Sequence, residues 1–143
     1  MERDVPQTMD DRRQEPRQHI LVIGGTADFL HLIRDLLRER YTITTTDFLP
    51  NTFAQIAVLD PDVLIMDIAV GEQAGWRLWE RLHVEARTAG IPVLIISTAP
   101  RLVERAQDEA ARHGNYRYLA KPASFDEMLA QIRAMVEGVA PRP

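Results

Sequence analysis

The chain has 143 residues, 45% of them hydrophobic, a length that suits one domain with its own core but not two. Its 17 basic and 21 acidic residues are interspersed and give a formal charge of −4, which argues against the basic patch expected of a nucleic-acid-binding protein. The sequence contains no cysteine, no secretory signal pattern and no apolar run long enough for a membrane span, so disulfide frameworks and thiolate metal sites are excluded. We therefore expect a cytoplasmic protein that contacts neither nucleic acid nor membrane.

Both ends of the chain are predicted to lie outside the fold. Residues 1–18 are polar, mixed in charge and nearly free of large apolar side chains, which predicts a disordered leader. Residues 138–143 read GVAPRP, and glycine and proline end helices and strands alike, so this segment is expected to form a short tail. The domain between them should span residues 19–137.

Between these ends, short aliphatic or β-branched runs alternate with longer segments of helical spacing. The predicted strands, in chain order, are Ile20–Ile23, Tyr41–Thr45, Val63–Met66, Val93–Ile96 and Tyr116–Leu119. The predicted helices are Phe29–Leu37, Pro50–Leu59, a segment around Leu78 and Leu82, Leu102–His113, and Phe125–Val136, which follows a capping box formed by Ser124 and Glu127. This β-α order, repeated five times, predicts an α/β fold: a flavodoxin-like, doubly wound, five-stranded parallel sheet with helices on both faces.

Polar residues follow the predicted carboxyl ends of three strands, where ligands bind in sheets of this kind. Asp67 follows the third strand, Ser97 the fourth and Lys121 the fifth. A carboxylate that can attack phosphorus, beside a hydroxyl and an ammonium that can bind the resulting oxygens, would form a phosphoryl site. Lys121 is the only lysine among the 17 basic residues, which favours a specific role for its compact charge.

Three segments, in this order, resemble the receiver domains of two-component response regulators: PDVLIMDIAVGEQAG, IPVLIIST and YLAKPASFDEML. The resemblance covers about residues 19–137. It implies that Asp67 accepts a phosphoryl group from a histidine kinase, that Ser97 and Lys121 sense and bind it, and that Tyr118 is the rotating aromatic switch. Gly75 matches the glycine that begins the third helix. The resemblance also implies a signalling protein rather than an enzyme, with a histidine kinase or downstream signalling protein as partner, and leaves a homodimer open.

The sequence departs from this family at the end of the first strand. Gly24 and Gly25 stand where the family carries two acidic residues that help to hold a magnesium ion. Glycine offers no side-chain oxygen to a hard cation, so we expect no bound cofactor, weak or absent magnesium binding and impaired phosphorylation of Asp67. Asp28 or Glu72 could serve as a replacement ligand, although an acid in a first helical turn is more often placed to complement the helix dipole.

Two other interpretations of the same residues stay open. The Gly24-Gly25 turn between a strand and a helix resembles a phosphate-cradling loop, and Asp47 lies near the position of a ribose-binding acid, which would make the domain a nucleotide-binding enzyme. The spacing of the glycines does not match the dinucleotide-binding motif, however. The second interpretation is an adaptor domain that functions without phosphorylation.

The missing acids also lead to an expectation about the resting site. Without neighbouring carboxylates to compete for it, Lys121 should pair mainly with Asp67, an attraction of roughly 1 to 4 kcal/mol at about 4 Å before desolvation and entropy are subtracted. Restoring acids at Gly24 and Gly25 should recover magnesium binding only if these glycines do not have positive φ angles. Trp76 and Trp79, three residues apart, are predicted to belong to the core.

Overall fold

The computed structural model describes residues 17–69, 73–98, 104–105, 107–108, 115–121 and 124–138. Its strands are β1 His19–Gly24, β2 Thr42–Thr46, β3 Val63–Ile68, β4 Val93–Ser97 and β5 Tyr116–Ala120. Its helices are α1 Ala27–Leu37, α2 Thr52–Leu59, α3 Gln73–Val84 and α4 Phe125–Glu137. Residues 104, 105, 107 and 108 are also helical, and the rest of the helix predicted at Leu102–His113 lies outside the described residues.

The five strands form one parallel sheet in the order β2-β1-β3-β4-β5. The strand order reverses beside β1, between β2 and β3, as in doubly wound flavodoxin-like sheets. The predicted fold class is therefore confirmed. Every predicted strand is present, and most continue for one or two residues beyond the aliphatic run because backbone pairing with a neighbouring strand continues past the last apolar side chain.

Two apolar layers cover the sheet, one on each face. On one face, α1 and α4 bury Ile33, Leu37, Ile132 and Val136 against alternate residues of the three central strands. On the other, α2 and α3 bury Ile56, Trp76, Trp79 and Leu82 against the remaining residues of those strands. The central strands β1, β3 and β4 are buried on both sides, which explains why their sequences are continuously aliphatic.

The tryptophans and the last helix agree with the sequence predictions. Trp76 and Trp79 are buried, with their rings 5.8 Å apart in an edge-to-face arrangement, so they belong to the core. The α4 helix has the predicted capping box: the Ser124 hydroxyl accepts from the Glu127 N–H, and the Glu127 carboxylate accepts from the Ser124 N–H. These features could be predicted from the sequence because each depends on residues only three positions apart.

Two boundaries differ from the sequence predictions. The α2 helix begins at Thr52 rather than Pro50, because the Thr52 hydroxyl accepts from the Leu49 N–H and donates to the Asp47 carbonyl, which holds the preceding residues in a turn. Arg17, assigned to the leader, donates from its guanidinium to the carbonyls of Arg38 and Tyr41. Residues 1–16 and 139–143 lie outside the described part of the chain, so the predicted leader and tail stay predictions.

Candidate functional site

Asp67 lies near the carboxyl end of the central strand β3 and is only 6% exposed. In the sheet it is paired with Gly24 of β1 on one side and with Ile96 of β4 on the other. Its carboxylate therefore lies at the edge of the sheet where β1, β3 and β4 end together. Burial of a carboxylate is unfavourable unless it is paired, and the structure provides such a partner.

The partner of Asp67 is Lys121, the residue that directly follows β5. Its Nζ lies 2.8 Å from Oδ1 and 2.8 Å from Oδ2 of Asp67, so one ammonium contacts both carboxylate oxygens. The Lys121 N–H donates to the Ser97 carbonyl at 2.9 Å, which extends the β4–β5 ladder by one residue and fixes the start of the lysine side chain. The ion pair expected from the sequence is present in the structure.

Ser97 and Tyr118, the other two predicted site residues, are placed differently. Ser97 is fully buried at the end of β4, paired with Ile68 and Ala120, so it stands one residue beyond Asp67 in the ladder. Tyr118 is half-buried on β5 and packs against the core on the α2 and α3 face, while its hydroxyl accepts a hydrogen bond from the side-chain amide of Gln107. Asp67 and Lys121 are thus in direct contact, Ser97 is bound to Lys121 through its backbone, and Tyr118 is held by Gln107.

Gly24 and Gly25 both have positive φ angles, of +83° and +93°, which side chains other than glycine rarely adopt. A Cβ atom on Gly24 would lie 2.6 Å from the Asp67 carbonyl oxygen and 2.8 Å from the ring of Phe48. A Cβ atom on Gly25 would lie 2.7 Å from the ring of Phe29. The local backbone therefore requires glycine at both positions. Because both φ angles are positive, acidic substitutions at Gly24 and Gly25 are not expected to recover magnesium binding.

Phe29 and Phe48 occupy the space beside this turn, a role that the sequence analysis did not assign to them. Phe29 belongs to α1 and packs with the core on the α1 and α4 face, whereas Phe48 follows β2 and packs with the opposite core. The Phe48 ring lies between Gly24 and Gly75, since a Cβ atom on Gly75 would also come within 3.2 Å of it. The smallness of Gly75 at the start of α3 thus accommodates an aromatic ring. No local sequence signal marks this contact, because it joins three separate elements.

The described residues do not fit a magnesium ion. Magnesium needs several oxygen ligands, yet Asp67 alone supplies a carboxylate here and Lys121 already contacts both of its oxygens. Across the described ranges, no three His, Cys, Asp or Glu side chains are placed to hold a metal. Asp28 is exposed in the first turn of α1, while Glu72 lies outside the described residues.

The nucleotide-binding interpretation gains no support from this geometry. A phosphate-cradling loop leaves open space above its glycines, so that backbone N–H groups can approach the ligand. Here the rings of Phe29 and Phe48 lie against both glycines, and the side chain of Thr26 accepts from the Phe29 N–H at the start of α1.

In the described part of the chain, none of the helices is long and apolar enough to cross a membrane.

Comparisons with known proteins agree with the fold and with the resemblance. The sequence model of the response regulator receiver domain matches residues 20–133. Regulatory protein VirG of Agrobacterium fabrum is 31% identical over 122 residues, which cover 85% of this chain and 47% of VirG. Transcriptional regulatory protein KdpE of Staphylococcus aureus is 29% identical over 117 residues, covering 81% of this chain and 48% of KdpE.

A solved structure described as a transiently phosphorylated "switch" in bacterial signal transduction is 26% identical and superposes with a TM-score of 0.67. The match covers 86% of this chain and 97% of that structure. The chain covers 32%, 48% and 43% of the length of three of the curated regulators that it matches.

Proposed function

The chain belongs to the response regulator receiver domain family of two-component signalling, and we propose that within it this domain acts by protein contact, from a resting state set by the Asp67–Lys121 ion pair. Receiver domains are generally signalling modules rather than enzymes, and they interact with histidine kinases and other protein partners. The finer proposal is that Asp67 is a phospho-acceptor of low competence. Its phosphorylation would not depend on magnesium in the usual way.

The observation that carries this proposal is the contact of one ammonium with both oxygens of a buried carboxylate. A carboxylate attacks phosphorus through a lone pair on one of its oxygens, so a cation bound to both oxygens lowers their nucleophilicity. In a magnesium-dependent site, a metal ion would neutralise the charge of the incoming phosphoryl group. Here that function would fall to Lys121 alone, which must leave Asp67 at least in part to contact the new phosphoryl oxygens.

The surroundings of the pair support the same conclusion. Phe29 and Phe48 border the turn that would otherwise present metal ligands, so the β1 side of the crevice is apolar. By the resemblance, Ser97 and Tyr118 would match residues of the family's phosphoryl-dependent switch, and we propose that they mainly stabilise one conformation here. Gln107 supports this role for Tyr118, because its amide holds the tyrosine hydroxyl.

The proposal is tested by incubating the full chain with acetyl phosphate or phosphoramidate, with and without magnesium, and measuring intact mass. We expect little or no phosphoryl adduct, and the same small yield in both conditions. The Asp67→Asn variant provides the background, and a receiver with a complete acidic pocket shows that the donor is active. Near-complete, magnesium-dependent modification that disappears in Asp67→Asn would contradict the proposal and establish a conventional phospho-acceptor.

A further inference from the structure

A cleft of about 380 Å³ lies between α2, α3 and the segment that follows β2, outside the Asp67 site. Its apolar wall includes Phe48, Phe53 and Leu78, and its rim carries Arg77 and Arg81. This volume is within the roughly 300–1,000 Å³ of small-molecule sites in proteins, which combine mostly apolar walls with a few polar groups that orient the ligand. The cleft therefore has the size and the mixed lining of a ligand site.

The charge of the cleft has one sign. Of the described residues that line it, two are arginines and none carries a carboxylate. Arg77 and Arg81 are four residues apart on α3, so their guanidinium groups share one side of the helix, where like charges repel each other. An anion between the two groups would convert this repulsion into attraction. Arginine also suits the task because its planar fork can bind a carboxylate, sulfonate or phosphate through two hydrogen bonds.

The two arginines differ in how far their charge is already compensated. The Arg81 guanidinium lies over the Phe53 ring at 3.7 Å, and its Nε is 3.8 Å from an exposed Glu85 oxygen, a weak ion pair. Arg77 makes no hydrogen bond or ion pair with any residue that the structure describes. Among the described residues that line the cleft, Arg77 is thus the cation without a compensating group, and Arg81 with Phe53 forms a flat surface beside it.

From this arrangement, we infer that the cleft binds a small amphipathic anion, with an aromatic or compact apolar body and one acidic group. The body lies against Phe53 and Leu78, where burial of apolar surface is favourable, and the acidic group contacts Arg77. Phe48 forms part of the same wall and also borders Gly24, so the ligand would contact the ring that lies next to the Asp67 site. This site is independent of the phosphorylation proposed for Asp67.

The experiment compares two fluorescent probes that differ only in one sulfonate group. 1-Anilinonaphthalene-8-sulfonate carries a sulfonate, whereas N-phenyl-1-naphthylamine has the same ring system without it. The full chain is titrated with each probe, and its thermal unfolding is recorded to show that the chain is folded. We expect saturable binding of the sulfonate with a stoichiometry of one, about tenfold tighter than binding of the neutral probe.

Variants locate the site. Arg77→Gln should weaken sulfonate binding about tenfold and leave the neutral probe unchanged, whereas Phe53→Ala should weaken both probes. Arg133→Gln, an exposed arginine on α4, is the matched control and should change neither. If Phe53→Ala fails to fold, the comparison of Arg77→Gln with Arg133→Gln still decides the question.

Several outcomes would overturn the inference. Equal affinity for the two probes would show that the arginines do not recognise the acidic group. Equal effects of Arg77→Gln and Arg133→Gln would place the probe elsewhere, and failure to saturate at millimolar concentration would show that no site exists. Displacement of the probe by an equal concentration of inorganic phosphate would show that the apolar wall contributes nothing, which would also contradict the proposal.

Discussion

At the scale of single residues, the two partners of the central ion pair are in unequal environments. The carboxylate of Asp67 is almost fully buried, whereas about a third of the Lys121 side chain, 34%, is exposed. A lysine released from its partner can extend its ammonium into water, because four methylene groups let it reach the surface. A buried carboxylate released from its partner has no such route, so the two deletions should have different costs.

We therefore predict that Lys121→Met destabilises the fold more than Asp67→Ala does. Loss of the lysine leaves a buried charge uncompensated. In a site that water partly reaches, this should lower the free energy of unfolding by about 2–3 kcal/mol. Loss of the aspartate should cost about 1 kcal/mol, since Lys121 can then be solvated. The free energies of unfolding from urea titrations measure both changes.

The double variant Lys121→Met with Asp67→Ala is the control for this comparison, because it removes both charges together. It should be less destabilised than the sum of the single variants, since neither charge is left without a partner. An Asp67→Ala variant as stable as the wild type, or more stable, would contradict a stabilising pair. A crowded acidic pocket would give such a result, because removal of one carboxylate there relieves repulsion between like charges.

At the scale of elements, the end of β1 shows what local sequence can and cannot predict. The strand and the helix that follows it were predictable, because aliphatic and helical spacing are properties of neighbouring residues. The absence of acidic residues from the Gly24-Gly25 turn could also be read directly from the sequence. The positive φ angles and the positions of the Phe29 and Phe48 rings could not be predicted, because they depend on contacts between β1, α1, β3 and the segment after β2. The two glycines and the two aromatic rings thus replace the acidic side of the family's pocket with an apolar one.

Alanine substitutions at the glycines should rank by what each new Cβ atom meets. Gly24→Ala should lower the free energy of unfolding by about 2 kcal/mol or more. Its Cβ atom would approach the Asp67 backbone oxygen, and the positive φ angle adds strain. Gly25→Ala should cost about 1 kcal/mol, since the Phe29 ring can move away. Urea titrations of the two variants give the order.

Gly90→Ala is the matched control for these substitutions. Apart from its chain neighbours, no atom of the described residues lies within 4 Å of a Cβ atom built there, and its φ is not positive, so the stability of the variant should equal or slightly exceed that of the wild type. If Gly24→Ala were as stable as Gly90→Ala, the turn would not require glycine, and the account of the missing acids as a backbone requirement would be wrong.

At the scale of the whole molecule, the order of elements was predicted from the sequence and confirmed by the structure. Five short strands, three of them fully apolar, that alternate with amphipathic segments have few other solutions than a doubly wound sheet, and the polar residues after three strands indicated its functional edge. Three of its curated relatives extend well beyond the part that this chain matches. The assignment of Asp67, Ser97, Lys121 and Tyr118 to signalling roles stays a prediction.

The central claim is that the Asp67 site is closed by Lys121 and does not take up magnesium. Isothermal titration of magnesium into the wild type tests it most directly, with Asp67→Asn titrated in parallel. We predict no saturable binding below millimolar magnesium and superimposable heats for the two proteins, because only one carboxylate is available and the lysine already holds it. Saturation at sub-millimolar magnesium with a stoichiometry of one, lost in Asp67→Asn, would contradict the claim and point to Asp28 or Glu72 as a further ligand.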